Sequence, residues 1–104
     1  MSLELHLKND VLTFKLSGDL DQDNAALFKE RFEPYPHKED IKCICFDFKN
    51  IRFINSYGLG ILIYFYKKYC VNKHRIILKN LNSVQLRLIR NIKLDKLFKI
   101  EIDF

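Results

Sequence analysis

The sequence predicts an α/β protein built on a mixed sheet, with elements in the order β-β-α-β-α-β-α-β. Three observations carry this. Apolar and polar residues alternate in the first eight positions and again near the end, which is the period of a half-buried strand. Between them, stretches with helical spacing alternate with short runs of Ile, Phe and Cys, and such alternation implies parallel strands joined by right-handed crossovers. The two opening strands are separated only by Asn9-Asp10, so they form an antiparallel hairpin and make the sheet mixed.

Leu3–Lys8 sets Leu3, Leu5 and Leu7 against Glu4, His6 and Lys8. Asn9-Asp10 signals a tight turn. Val11–Ser17 continues with Val11, Leu12, Phe14 and Leu16, and Gly18-Asp19-Leu20-Asp21 ends the second strand. An amphipathic helix fits Asn24–Phe32, with Ala25, Phe28 and Phe32 on one stripe and Asp23 or Asn24 as N-cap. Pro34 and Pro36 stop it.

Ile41–Phe48 is apolar on both parities, the pattern of a central strand covered on both faces. Asn55-Ser56-Tyr57-Gly58-Leu59-Gly60 then opens a helix running to about Val71, with Leu59, Leu62, Ile63, Tyr66 and Cys70 as inner stripe. Ile61, Tyr64 and Phe65 lie off that stripe. They are core if the helix buries a wide face and a partner patch if exposed; their size favours core. Arg75–Leu78 is a short strand. Val84–Ile92 is a helix with Val84, Leu88, Ile89 and Ile92 inward and Asn82 or Ser83 as cap, and Phe98, Ile100 and Ile102 mark the last strand.

A chain of 104 residues fits one domain over residues 1–104. At 48% hydrophobic and 30% charged, it has a globular composition. No apolar stretch is long enough to cross a membrane, and the N-terminus carries no secretory pattern, so a cytoplasmic location is expected. Lys+Arg 18 against Asp+Glu 13 gives +5, which invites a nucleic-acid reading. The basic residues are scattered, however. Arg87, Arg90, Lys93, Lys96 and Lys99 come with no aromatic stacking platform, so they are read as solvated surface and no direct nucleic-acid contact is expected. Cys43, Cys45 and Cys70 are read as reduced, packed thiols.

Catalytic patterns are missing. Gly58-x-Gly60 lacks the third glycine of a dinucleotide fingerprint, and no phosphate-binding Gly-Lys-Ser/Thr loop occurs. His6, His37 and His74 stand far apart without acid or thiol partners at ligand spacing, so no metal is expected. Ser56 matches only half of a nucleophile elbow and has no evident base. Neither an enzyme nor a cofactor is expected. By itself, Asn55-Ser56 is an ordinary capping pair. Yet Gly58 and Gly60 stand in the first turn of a helix, where each costs about 1 kcal/mol in propensity and lets another molecule approach the backbone. A helix N-terminus also tolerates a phosphate.

Three segments resemble the STAS domain, the sulfate-transporter and anti-sigma-factor-antagonist family, and among its members the stand-alone bacterial anti-sigma factor antagonists. They are Gly18-Asp19-Leu20-Asp21, the run from Phe46 to Gly60 containing Asn55-Ser56-Tyr57-Gly58-Leu59-Gly60, and Leu94-Asp95-Lys96-Leu97-Phe98-Lys99-Ile100. The resemblance implies the STAS-like fold and a role in partner switching. In that scheme the dephosphorylated antagonist binds an anti-sigma factor, a serine/threonine kinase of the histidine-kinase-like ATPase type. The kinase phosphorylates the motif serine, which breaks the complex, and a PP2C-type phosphatase reverses this. Ser56 occupies the phosphorylated position. Asp21, Asn55, Tyr57, Gly58 and Gly60 fall with it on the implied partner surface. The alternative role is a STAS subunit of a membrane-associated or stress-signalling complex that binds without being phosphorylated. Asn55 stands where Asp is common, Tyr57 where a small residue is usual, and Lys93 where Gly often stands.

Overall fold

The computed structural model of the chain describes residues 2–35, 41–70 and 74–101. It contains β1 (Ser2–Lys8), β2 (Val11–Leu20), α1 (Gln22–Phe32), β3 (Cys43–Ile54), α2 (Ser56–Tyr69), β4 (Arg75–Lys79), α3 (Ser83–Asn91), a 3-10 turn (Leu94–Lys96) and β5 (Lys99–Glu101). The element order is the expected one. The strands lie in one sheet in chain order, β1-β2-β3-β4-β5, antiparallel between the first two and parallel thereafter. Each parallel crossover therefore advances in the same direction. Right-handed connections of this kind place all three helices on one face.

That face carries the core. Leu12, Phe14 and Leu16 of β2, Ile44, Phe46 and Phe48 of β3, and Ile76 and Leu78 of β4 are buried beneath Phe28, Phe32, Phe65 and Tyr69 of the helices. Phe32 is the hub: its ring centroid lies 4.8 Å from Phe14, 4.5 Å from Phe65 and 5.3 Å from Tyr69. Edge-to-face contacts of this kind add to simple burial.

The opposite face bears Val11, Thr13 and Lys15 in register with Cys43, Cys45 and Asp47, and these with Arg75, Ile77 and Lys79. β3 is therefore covered by helices on one side only, not on both. Its second apolar parity arises because the small Cys45 is buried on the open face, level with Thr13 and Ile77 of the flanking strands. The three cysteines are free thiols, and burial raises all three, Cys45 to about 11.

Several other expectations shift. The α1 cap is Asp21, not Asp23 or Asn24, because the strand runs straight to Leu20 and the helix begins at once. β3 runs on to Ile54 through two irregularities in its pairing with β2, one opposite Leu16 and one between Gly18 and Asp19, so Ile51 and Ile54 both turn inward and Phe53 outward. The buried stripe of α2 is Gly58, Ile61, Leu62, Phe65 and Tyr69, rotated from the expected one; Leu59, Ile63, Tyr66 and Cys70 flank it. On α3, Val84 and Ile92 are exposed. The inward residues are Gln85 and Ile89, because the Gln85 amide donates 2.9 Å to the Ile51 carbonyl and accepts from the Asn82 N–H. Pro36, Val71 and Ile102 lie outside the described residues.

At the end of α1, Glu33 accepts a 2.7 Å bond from the Tyr64 hydroxyl and sits 3.4 Å from Lys68, which links α1 to α2. The Tyr64 bond is the main cause holding the Glu33 carboxyl below its ordinary value, with Lys68 adding to it.

Two outcomes follow. Phe32→Ala should cost about 3–5 kcal/mol in denaturant unfolding, the range for emptying a buried aromatic site. For a carboxyl whose folded value is lowered, the stabilisation is present above its unfolded value and is lost as pH falls through the folded one. Glu33→Gln should therefore flatten the fall in stability below about pH 5, read as melting temperature against pH.

Candidate functional site

Parallel strands deliver their chain ends to one edge of the sheet, where each helix begins. Here that edge gathers Asp19 to Asp21, Arg52 to Gly60 and the start of α3. Its local architecture is built from caps. The Asp21 carboxylate accepts from the Asn24 N–H at 3.1 Å, and the Asn24 side-chain amide donates 2.6 Å back to the Asp19 carbonyl. The Asn55 side chain accepts from the Tyr57 and Gly58 N–H groups at 3.0 and 3.3 Å. Such caps satisfy backbone donors that the first turn of a helix leaves without partners.

The two capped turns are tied together. Asn55 N–H donates 3.3 Å to the Leu20 carbonyl, between Asp19 and Asp21. Gly58 is buried directly against the same group: a Cβ there would stand 2.6 Å from the Leu20 oxygen and 2.8 Å from Ile54. The space beside Gly58 is thus filled by the chain's own β2, and no second molecule can approach there. Gly60 differs, having no neighbour within 4 Å of such an atom. The reason the sequence offers for two glycines in one turn therefore splits: Gly58 seats the helix, and Gly60 leaves an open backbone.

Ser56 is exposed at the first position of α2, and its side chain takes no part in the cap, which Asn55 alone provides. Tyr57 beside it and Phe53 before it are each 54% exposed. Asp19 and Arg52 pair across the strands at 3.5 Å in a solvent-exposed setting. The structure thus brings Asp21, Asn55, Ser56, Tyr57 and Gly60 to one edge, with Gly58 beneath them.

Phe53, Arg52 and Gln85 were not legible as site neighbours. The facing of Phe53 depends on two irregularities in the β2–β3 pairing, which no local sequence pattern marks. The Gln85 amide reaches Ile51 from a position that sequence spacing assigns to no role. Among the described residues no group of three or more His, Cys, Asp or Glu could hold a metal ion, and no helix is long and apolar enough to cross a membrane. Arg87, Arg90, Lys93, Lys96 and Lys99 are exposed along α3 and the segment after it.

The edge supplies an exposed hydroxyl at the start of α2, two exposed aromatic rings, and charges of both signs. Such a surface is suited to contact with another protein, where a few aromatic anchors dominate binding.

Gly58→Ala should lower stability by about 1–3 kcal/mol, the cost of overpacking against fixed backbone. Gly60→Ala should raise it by up to about 1 kcal/mol through helix propensity. Urea titrations of the two variants check both.

The fold has many solved counterparts. A putative anti-sigma factor antagonist from Thermotoga maritima is 23% identical with TM-score 0.87, covering 98% of this chain and 86% of that one. The phosphorylated form of the Bacillus cell fate determinant SpoIIAA is 15% identical with TM-score 0.77, covering 99% and 92%. The STAS domain of a SulP transporter from Vibrio cholerae is 14% identical with TM-score 0.72, covering 93% and 77%. The family model of the STAS domain matches residues 2–103, and the chain belongs to the STAS domain family.

Proposed function

We propose that the chain is an anti-sigma factor antagonist acting by partner switching in the cytoplasm. Unphosphorylated, it docks on an anti-sigma factor that is also a serine/threonine kinase of the histidine-kinase-like ATPase type. That kinase ends the complex by phosphorylating Ser56, and a PP2C-type phosphatase restores the hydroxyl. The observation that carries this reading is the exposed Ser56 hydroxyl, released from capping by Asn55 and flanked by exposed Phe53 and Tyr57. Asp21, Asn55, Tyr57 and Gly60 form the docking surface, and Gly58 holds the serine in place from beneath.

In this scheme the chain is a substrate and a ligand, not an enzyme. The Ser56 oxygen forms a bond to the γ-phosphorus of ATP, the bond to the β,γ-bridging oxygen breaks, and ADP leaves. The hydroxyl proton passes to a base on the kinase. The phosphate adds about −1.5 to −2 charge at neutral pH. At the start of α2 the helix dipole accommodates that charge, so the fold survives. Inside an interface shaped for a small hydroxyl it must lose its water, at a cost of several kcal/mol. Each 1.4 kcal/mol is tenfold in affinity, so even part of that cost separates the partners.

A second reading has a specific observation behind it. Asn55 replaces the family's usual acid, and Tyr57 adds an exposed ring next to Ser56. These favour a STAS subunit of a membrane-associated or stress-signalling complex that binds without being modified.

Calorimetric titration against the anti-sigma partner separates the two. Ser56→Ala should bind like wild type. Ser56→Glu and protein phosphorylated on Ser56 should bind at least tenfold more weakly while keeping a native circular-dichroism spectrum. Peptide mass spectrometry after incubation with the kinase and ATP should place the phosphate on Ser56. A partner kinase that binds the chain and never modifies it supports the second reading, and unchanged affinity of the phosphorylated species refutes the switch.

A further inference from the structure

Among the described residues, β1 is an outer strand of the sheet and pairs with β2 alone. It runs seven residues without Gly or Pro, and its pairing with β2 is unbroken from Ser2↔Ser17 to Lys8↔Val11. Outer strands that meet no partner are usually short, bulged or interrupted, because a regular one is a template for another chain. This one is regular.

The two-residue turn between Lys8 and Val11 makes those residues a hydrogen-bonded pair. Alternation then points the N–H and C=O groups of Glu4, His6 and Lys8 toward β2, and those of Leu3, Leu5 and Leu7 toward the open edge. The side chains divide the same way. Leu3, Leu5 and Leu7 stand opposite buried Leu16, Phe14 and Leu12, on the helix side of the sheet. Leu5 is nonetheless 38% exposed and Leu7 58%. Beside them lies an open hollow of about 290 Å³, bounded by Leu3, Leu5, Phe14, Arg31, Pro34 and Tyr35.

The strand is complementary to itself. Glu4-Leu5-His6-Leu7-Lys8 reads acid, Leu, His, Leu, base; turned end for end, it sets each charge against its opposite. We propose that β1 is the seam of a symmetric dimer of this chain, two β1 strands pairing antiparallel about a twofold axis at His6. Leu5 then lies opposite the partner's Leu7 at hydrogen-bonded positions, where both strands present outward backbone groups. Glu4 lies opposite the partner's Lys8, and His6 opposite its own copy, at the close non-hydrogen-bonded positions where side chains interact most strongly.

The register is constrained. A slip of one residue would bring outward backbone groups against inward ones and move the leucines to the other face. A slip of two that puts Leu5 on the axis would set Lys8 against Ser2 and lose both ion pairs. The twofold contact is isologous and closed, so it ends at a dimer. It continues the sheet with every helix on the same side, and it leaves Ser56 free, with the two candidate sites directed oppositely.

Sedimentation velocity over a dilution series should show reversible dimerisation of the whole chain. Glu4→Lys and Lys8→Glu should each weaken it about tenfold, because each reverses two symmetry-related pairs, and the double variant should recover most of that loss. Opposed residues at non-hydrogen-bonded positions have Cα atoms about 4.5 Å apart, within disulfide range. His6→Cys should therefore give an oxidised, covalent dimer joined at residue 6, whereas Leu5→Cys should not. All four substitutions fall on exposed side chains, and circular dichroism checks their fold. A monomer at every concentration, linkage through Leu5→Cys in place of His6→Cys, or a double variant as weak as the single ones overturns the proposal.

Discussion

The contact on which the site depends is between two stretches of backbone. α2 begins so close to the end of β2 that the Leu20 carbonyl occupies the space where a side chain at residue 58 would stand. Leu20 also receives the Asn55 N–H, so one carbonyl fixes both the cap and the first turn. With that turn fixed, the position of Ser56 and the outward tilt of Tyr57 follow from helix geometry. Asp21, one residue beyond Leu20, is held to the same edge by its own cap on α1. The candidate surface is thus a rigid assembly of two capped helix starts, positioned by packing beneath it.

The aromatic core sets the platform under that assembly. Phe14, Phe28, Phe32, Phe46 and Phe65 come from two strands and two helices, and their rings meet mostly edge to face. Such rings resist rearrangement, because each one's orientation is set by several others. A surface used for partner recognition benefits from this, since ordering it on binding costs little. In the proposed switch, the charge added to Ser56 would then act on the partner without being relaxed by movement of the domain.

Element order, the mixed sheet and the motif turn were legible because each depends on local signals. Alternation in Leu3–Lys8, the helical stripe of Ala25, Phe28 and Phe32, and the Asn55-Ser56 cap all lie within one or two turns of chain. What was illegible depends on contacts between elements. The rotation of the α2 stripe toward Ile61 and Phe65 is decided by where α1 lies, which periodicity alone does not state. Val84 and Ile92 looked inward on α3, yet a buried glutamine took the inward place, because the bulged part of β3 presents a carbonyl that needs a donor. Gly58 and Gly60 look alike in sequence; only the third dimension separates a glycine that packs from one that lies open.

The neighbour-to-neighbour order of the strands bears on how the chain acquires its structure during synthesis. Every strand pairs with the one made just before it, so no strand must wait for a distant segment, and loop-closure costs stay modest for a parallel sheet. A chain emerging from its N-terminus can lay down the hairpin, then α1 and β3, then α2, adding one layer at a time. The part of the edge around Ser56 is assembled from residues 19 to 60 and is in place at that stage. Gln85 arrives afterwards and closes on the Ile51 carbonyl. The candidate surface around Ser56 belongs to the early-formed half of the molecule, and the later half serves as its clasp.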